Sequence, residues 1–96
     1  MAFVVMATWR AKAGKAHVIE EVLRKVTPVN RTEPKMLEFQ AHTDHQDPAT
    51  FVLYEKYTDA SGYDDHKQTD TFRTLVLGEA IPNLEERSVR TMMTLD

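Results

Sequence analysis

The sequence predicts an α+β domain in the order strand, helix, strand, strand, helix, strand. Three observations carry this. Four runs rich in β-branched and aromatic residues recur along the chain. Between the first and second, and again between the third and fourth, apolar residues repeat at helical rather than alternating spacing. And 96 residues without a linker, a low-complexity stretch or a long repeat fit one domain, residues 1–96.

The first strand is Phe3–Ala11. Phe3, Val5, Ala7 and Trp9 share one face, and Val4, Met6, Thr8 and Arg10 the other. Both faces are apolar over most of their length, which predicts that both are covered. Gly14 ends the strand. A helix is expected from about Lys15 to Val26, because Val18, Ile19, Val22, Leu23 and Val26 form one stripe. Glu20 and Glu21 precede Arg24 and Lys25 by four residues on the opposite side. Pro28 disfavours helix at Thr27 and predicts an end or kink there. Met36–Thr43 is the second strand, with Leu37, Phe39 and Ala41 on one face. Asp44–Thr50, containing Asp47-Pro48, is a hairpin loop. Phe51–Tyr57 is the third strand, pairing back on the second. Asp59 is placed to cap a short helix bearing Tyr63 and His66, and Asp70 to cap its continuation through Phe72, Leu75 and Val76. Gly78 and Pro82 end that helix. Ser88–Leu95 is the last strand.

A βαββαβ order in under 100 residues is the ferredoxin-like, split βαβ arrangement. Both helices then lie on one face of a four-stranded antiparallel sheet. The other face carries too much apolar surface to stay wet, so a second copy packed sheet against sheet is expected, a two-fold homodimer.

Composition narrows the function. The net charge is −3 and Lys and Arg nowhere gather into a basic stripe, which argues against nucleic acid as a partner. There is no cysteine, so thiolate chemistry and disulfides are excluded. The apolar N-terminal run is too short to span a membrane and lacks a signal-peptide layout, so a cytoplasmic protein without a membrane partner is expected. With three glycines there is no phosphate-cradling loop. His42, Asp44, His45 and Asp47 fall in a polar hairpin loop, and Asp64, Asp65, His66 and Asp70 point around a helix; neither set is expected to hold a metal.

The remaining chemistry gathers at Phe51–Phe72. If Tyr63 and His66, three residues apart, face the sheet, both approach a pocket beneath the helix. A neutral imidazole there accepts a proton from a substrate hydroxyl. Tyr57 and Tyr63 are suited to stack on a flat ring or donate to an oxygen. Glu55 shares the face of Tyr57 and must be paired or reach water, a salt bridge or an edge position being favoured over catalysis. Trp9 is either pocket wall or dimer core. Arg31, after the kinked helix, is a candidate to hold an anionic group at the pocket mouth.

Nearly the whole chain resembles the antibiotic biosynthesis monooxygenase family of the dimeric α/β-barrel superfamily. The likeness runs through Lys12–Lys15 and through Arg31-Thr-Glu33-Pro34-Lys-Met-Leu37-Glu-Phe39. It continues through Asp47-Pro48-Ala-Thr-Phe51-Val-Leu-Tyr54-Glu55-Lys-Tyr57 and Asp59 to His66 and Phe72. Lys35 stands where the family usually has Gly, Tyr57 where it has Trp, and Thr71 where a second His is common. The resemblance implies a cofactor-free monooxygenase that oxidises a small phenol or quinol with molecular oxygen. On that reading His66 is the catalytic base, Tyr57 and Tyr63 orient the ring, and Trp9, Val5 and Phe72 are walls. Haem degradation, which in the family uses a strand-one Asn, a Trp and a His, fits less well: strand one offers Ala7 and Thr8, and only His66 matches. The alternatives are a non-catalytic, small-molecule-binding stress-responsive barrel, and a sugar-phosphate isomerase needing cations such as Arg31, Lys56 or Arg73.

Overall fold

A computed structural model describes residues 1–96. Strand β1 (Phe3–Ala11) is followed by helix α1 (Ala16–Asn30), strands β2 (Met36–Thr43) and β3 (Thr50–Tyr57), helix α2 (Ala60–Lys67), a π-helical stretch Phe72–Ala80, a 3₁₀ turn Ile81–Asn83, and β4 (Leu84–Met93). The four strands form one antiparallel sheet in the order β2-β3-β1-β4. This is the ferredoxin-like α+β fold the sequence predicts.

Gly14 makes the turn into α1 at φ +75°, a left-handed conformation in which a Cβ is strained. The α1 stripe is buried at Ile19, Val22, Leu23 and Val26. Burying each such side chain contributes roughly 1.5–3 kcal/mol relative to leaving it in water. The Glu20–Arg24 and Glu21–Lys25 pairs form on the outer side, at 3.3 and 4.0 Å. Pro28 does not end the helix as expected; α1 runs through it to Asn30. Only the bond a residue 28 N–H would make is lost, while Arg31 N–H still reaches the Thr27 carbonyl and Thr32 N–H the Val29 carbonyl.

The covered face of the sheet carries Val5, Ala7, Trp9 and Ala11 from β1 and Phe51, Leu53, Glu55 and Tyr57 from β3, all buried. Trp9 is thereby core under the helices and not part of the bare face. In β2 the register shifts between Met36 and Glu38, so Met36 lies opposite Tyr57 and Phe39 opposite Glu55. This bulge turns Leu37 outward, 53% exposed, and puts Met36 in its place beside Phe39. The second helical region also departs from expectation. It breaks after Lys67, and the Thr69 hydroxyl, not Asp70, accepts the Phe72 N–H at 3.1 Å. β4 begins earlier than expected, at Leu84, because it pairs along all of β1. On the bare face lie Val4, Met6, Val52 and Tyr54, which the register places together with Met92. No helix is long and apolar enough to cross a membrane.

Candidate functional site

At the end of the sheet where β3 meets α2, four polar side chains gather beneath apolar cover. Glu55 and Tyr57 sit two residues apart on β3 and so share the helix-covered face. The chain then turns at Thr58 and Asp59. The Asp59 carboxylate accepts the Ser61 N–H at 2.8 Å and starts α2. Gly62 lets that helix lie against the sheet: a Cβ there would meet Tyr57 Cδ1 at 2.8 Å and Lys35 Cβ at 2.9 Å. One turn later His66 points inward, only 4% exposed.

The imidazole is held at one end and faces a carboxylate at the other. Nδ1 lies 2.8 and 3.1 Å from the two carboxylate oxygens of Glu33, on the loop between α1 and β2. A carboxylate can only accept, so Nδ1 carries the hydrogen and Nε2 is the free base in the neutral ring, a tautomer set by this network. Nε2 faces Glu55 Oε1 at 3.9 Å. That is too long for a hydrogen bond. The same Oε1 accepts the Tyr57 hydroxyl at 2.5 Å. Burial raises the pKa of Glu55 above the ordinary carboxylate value, opposed by the Tyr57 hydroxyl and the imidazole. Burial also raises the Tyr57 phenol, reinforced by the charge of Glu55 beside it. Both shifts run toward the neutral form of the group, with burial the largest cause of each.

Aromatic rings enclose this chain of polar groups. Phe72 stands edge-on to His66 at 5.3 Å between centroids. Tyr57 lies 6.1 Å from the imidazole and 5.9 Å from Tyr63. Tyr63 packs on Phe3 at 6.2 Å and carries Lys67 Nζ over its face at 4.2 Å. Desolvation raises its pKa as well. Val5, opposite Glu55 in the register, closes the floor.

The structure thus brings together His66, Tyr57, Tyr63, Phe72 and Val5 of the residues singled out in the sequence. It does not bring in Trp9, which pairs with Phe51 while Tyr57 pairs with Phe3, about 20 Å away along β1. Nor does it bring in Arg31, whose guanidinium donates to the Phe39 carbonyl at 2.9 and 3.1 Å. Glu33 was visible only as part of a motif. Nothing in its neighbours along the chain marks its contact with His66. Glu55 is neither at an edge nor paired with a Lys or Arg. The main surface concavities, of 440, 580 and 550 Å³, are lined by other residues, and the imidazole is packed rather than open. Four of the five acidic residues of the two polar clusters are engaged locally, Asp70 being the exception. Asp44 accepts from the Gln46 and Asp47 N–H groups, Asp47 pairs with Arg10, Asp65 with Lys35 and Asp64 with Lys67.

The fold defines a class: small ferredoxin-like domains with two helical regions on one face of a four-stranded antiparallel sheet. Solved structures of this class superpose over nearly the full chain. PA3566 from Pseudomonas aeruginosa matches with a TM-score of 0.91 at 24% identity, covering 99% of this chain and 95% of its own. A crystal structure described as an antibiotic biosynthesis monooxygenase gives 0.89 at 24%, covering 98% and 99%. Rv0793 from Mycobacterium tuberculosis gives 0.90 at 15%, covering 100% and 97%. No curated protein matches the chain. The model of the antibiotic biosynthesis monooxygenase family matches residues 2–76, and the chain belongs to that family.

Proposed function

We propose that the protein is a cofactor-independent monooxygenase that oxidises a small phenol or quinol with molecular oxygen. The observation that carries this reading is the imidazole fixed by Glu33 with its basic nitrogen turned to the Glu55–Tyr57 pair. Nε2 takes the proton of the substrate hydroxyl. The resulting phenolate is electron-rich enough to give an electron to oxygen, and the radical pair joins at a ring carbon as a hydroperoxide. Loss of water from that carbon leaves a quinone. Phenol and oxygen are consumed and quinone and water formed, so the ring loses four electrons and the two oxygen atoms gain two each. The chain's own contribution is the base, the orientation of the ring by Tyr57 and Tyr63, and the exclusion of water. The ring enters by displacing Phe72, the partly buried ring edge-on to the imidazole. His66→Ala lowers oxygen consumption with a panel of quinols at least about tenfold; an unchanged rate removes His66 from the mechanism.

A second reading, a small-molecule-binding protein without chemistry, is favoured by the closed packing around His66 and the open concavities elsewhere. It predicts ligand binding with no oxygen uptake. The sugar-phosphate isomerase gains no support, since Arg31 lines the groove between α1 and β2 rather than the surroundings of His66, and Arg73 bonds Gln68.

The bare face, with Val4, Met6, Val52, Tyr54 and Met92, supports a homodimer through the sheet. Light scattering at twice 11.0 kDa is the expected result, and a monomer overturns it.

A further inference from the structure

The groove between α1 and the free edge of β2 lies apart from His66 and has a lining of its own, of 440 Å³. This volume is in the range of small-ligand sites, roughly 300–1,000 Å³. Its helix side is built by Leu23, Arg24, Thr27 and Arg31, which recur at helical spacing along one face. Its strand side is Gln40–Thr43, and Phe51 and Ala41 supply apolar floor.

The edge strand determines what this groove can hold. In an antiparallel strand the N–H and C=O of one residue point the same way, and successive residues alternate. Asp44 N–H bonds Thr50 across the ladder at 2.8 Å, so Gln40 and His42 also face β3. Phe39, Ala41 and Thr43 then present their backbone groups to the free edge. Two of their carbonyls are already taken by side chains: Phe39 by the Arg31 guanidinium at 2.9 and 3.1 Å, and Ala41 by the Gln40 amide at 3.4 Å. Of the three carbonyls only that of Thr43 is left, while all three N–H donors face outward. A strand adding to this edge would find more donors than acceptors. An anion needs only donors.

Charge points the same way. Arg24 is paired with Glu20 at 3.3 Å, but Arg31 has carbonyl and amide partners and no carboxylate. One net positive charge faces the groove. A monovalent carboxylate matches it, and the apolar floor of Leu23, Ala41 and Phe51 takes a flat body.

We propose that this groove binds a small aromatic carboxylate. The carboxylate lies against the Arg31 guanidinium and the outward N–H groups of Ala41 and Thr43, and the ring on Leu23 and Phe51.

The test is a titration of the ¹⁵N-labelled protein with benzoate, read by amide chemical shifts. Saturable shifts are expected at Ala41, Thr43 and the Arg31 Nε–H, with neutral phenol leaving them in place. Arg31→Gln weakens benzoate about tenfold, the scale of one charged hydrogen bond. Arg24→Glu, at an exposed position with no capping role, weakens it about threefold and keeps the test open if the Arg31 variant unfolds. No saturable shift at these amides, or equal shifts with inorganic phosphate, overturns the proposal.

Discussion

Two sides of α1 look onto opposite kinds of polar environment. Past its C-terminus, Glu33, His66, Glu55 and Tyr57 lie under cover, His66 bonded to Glu33 and Tyr57 to Glu55. Along its outer flank, Arg24, Arg31 and the β2 edge are wet and leave donors free. The difference lies in what covers each region. α2 and the π-helical stretch close over β3, whereas β2 is the edge of the sheet with nothing beyond it. A polar group under cover has to be paired, because its desolvation is otherwise uncompensated. At an edge, water meets that need and pairing is optional. The first region is therefore expected to respond to substitution as a unit, and the second residue by residue.

The largest effect is expected at Tyr57, which is 0% exposed. Tyr57→Ala should cost about 3–5 kcal/mol in denaturant unfolding, the range for removing a buried aromatic ring. A loss under 1 kcal/mol would mean the region is not tightly packed. Gly62→Ala comes next. The added methyl meets a ring that cannot retreat, at 2.8 Å, and should cost about 1–3 kcal/mol. A neutral or stabilising result, as from relief of backbone entropy, would show that α2 shifts freely on the sheet.

Glu55→Gln tests pairing through pH. The folded-state pKa of Glu55 is raised, so the folded protein binds its proton more tightly than the unfolded chain does. Stability is then lost as pH rises from the ordinary value of 4.5 through the folded pKa, and is retained below it. The Gln variant has no such proton. Its stability relative to the parent should rise across that window, followed by thermal melts at several pH values. A parallel pair of curves would show that Glu55 binds its proton equally in the folded and unfolded states. The smallest effect is expected in the groove: Arg24→Glu should change stability by no more than about 0.5 kcal/mol, as for an exposed i,i+4 pair. A larger loss would show that the flank is structural.

The fold was legible because each strand carries its own alternation and α1 its own stripe. What escaped were features set by pairing partners. The bulge at Leu37 depends on the register against Lys56 and Tyr57, which β2 does not encode alone. The survival of α1 past Pro28 depends on bonds further along, from Arg31 and Thr32. His66 could be chosen from residue type and spacing, and Tyr57 and Tyr63 came with it. Glu33 could not, since 33 residues separate it from the imidazole and nothing local marks the contact. Trp9 and Arg31 were drawn into the site by residue type, and the structure places each elsewhere.

The π-helical stretch Phe72–Ala80 holds slack. A coil closed by i→i+5 bonds stores a residue that the ordinary helix would not need. Its first residue is Phe72, the ring edge-on to His66. Deleting a single residue between Arg73 and Gly78 would return the coil to ordinary helical spacing and re-aim that ring.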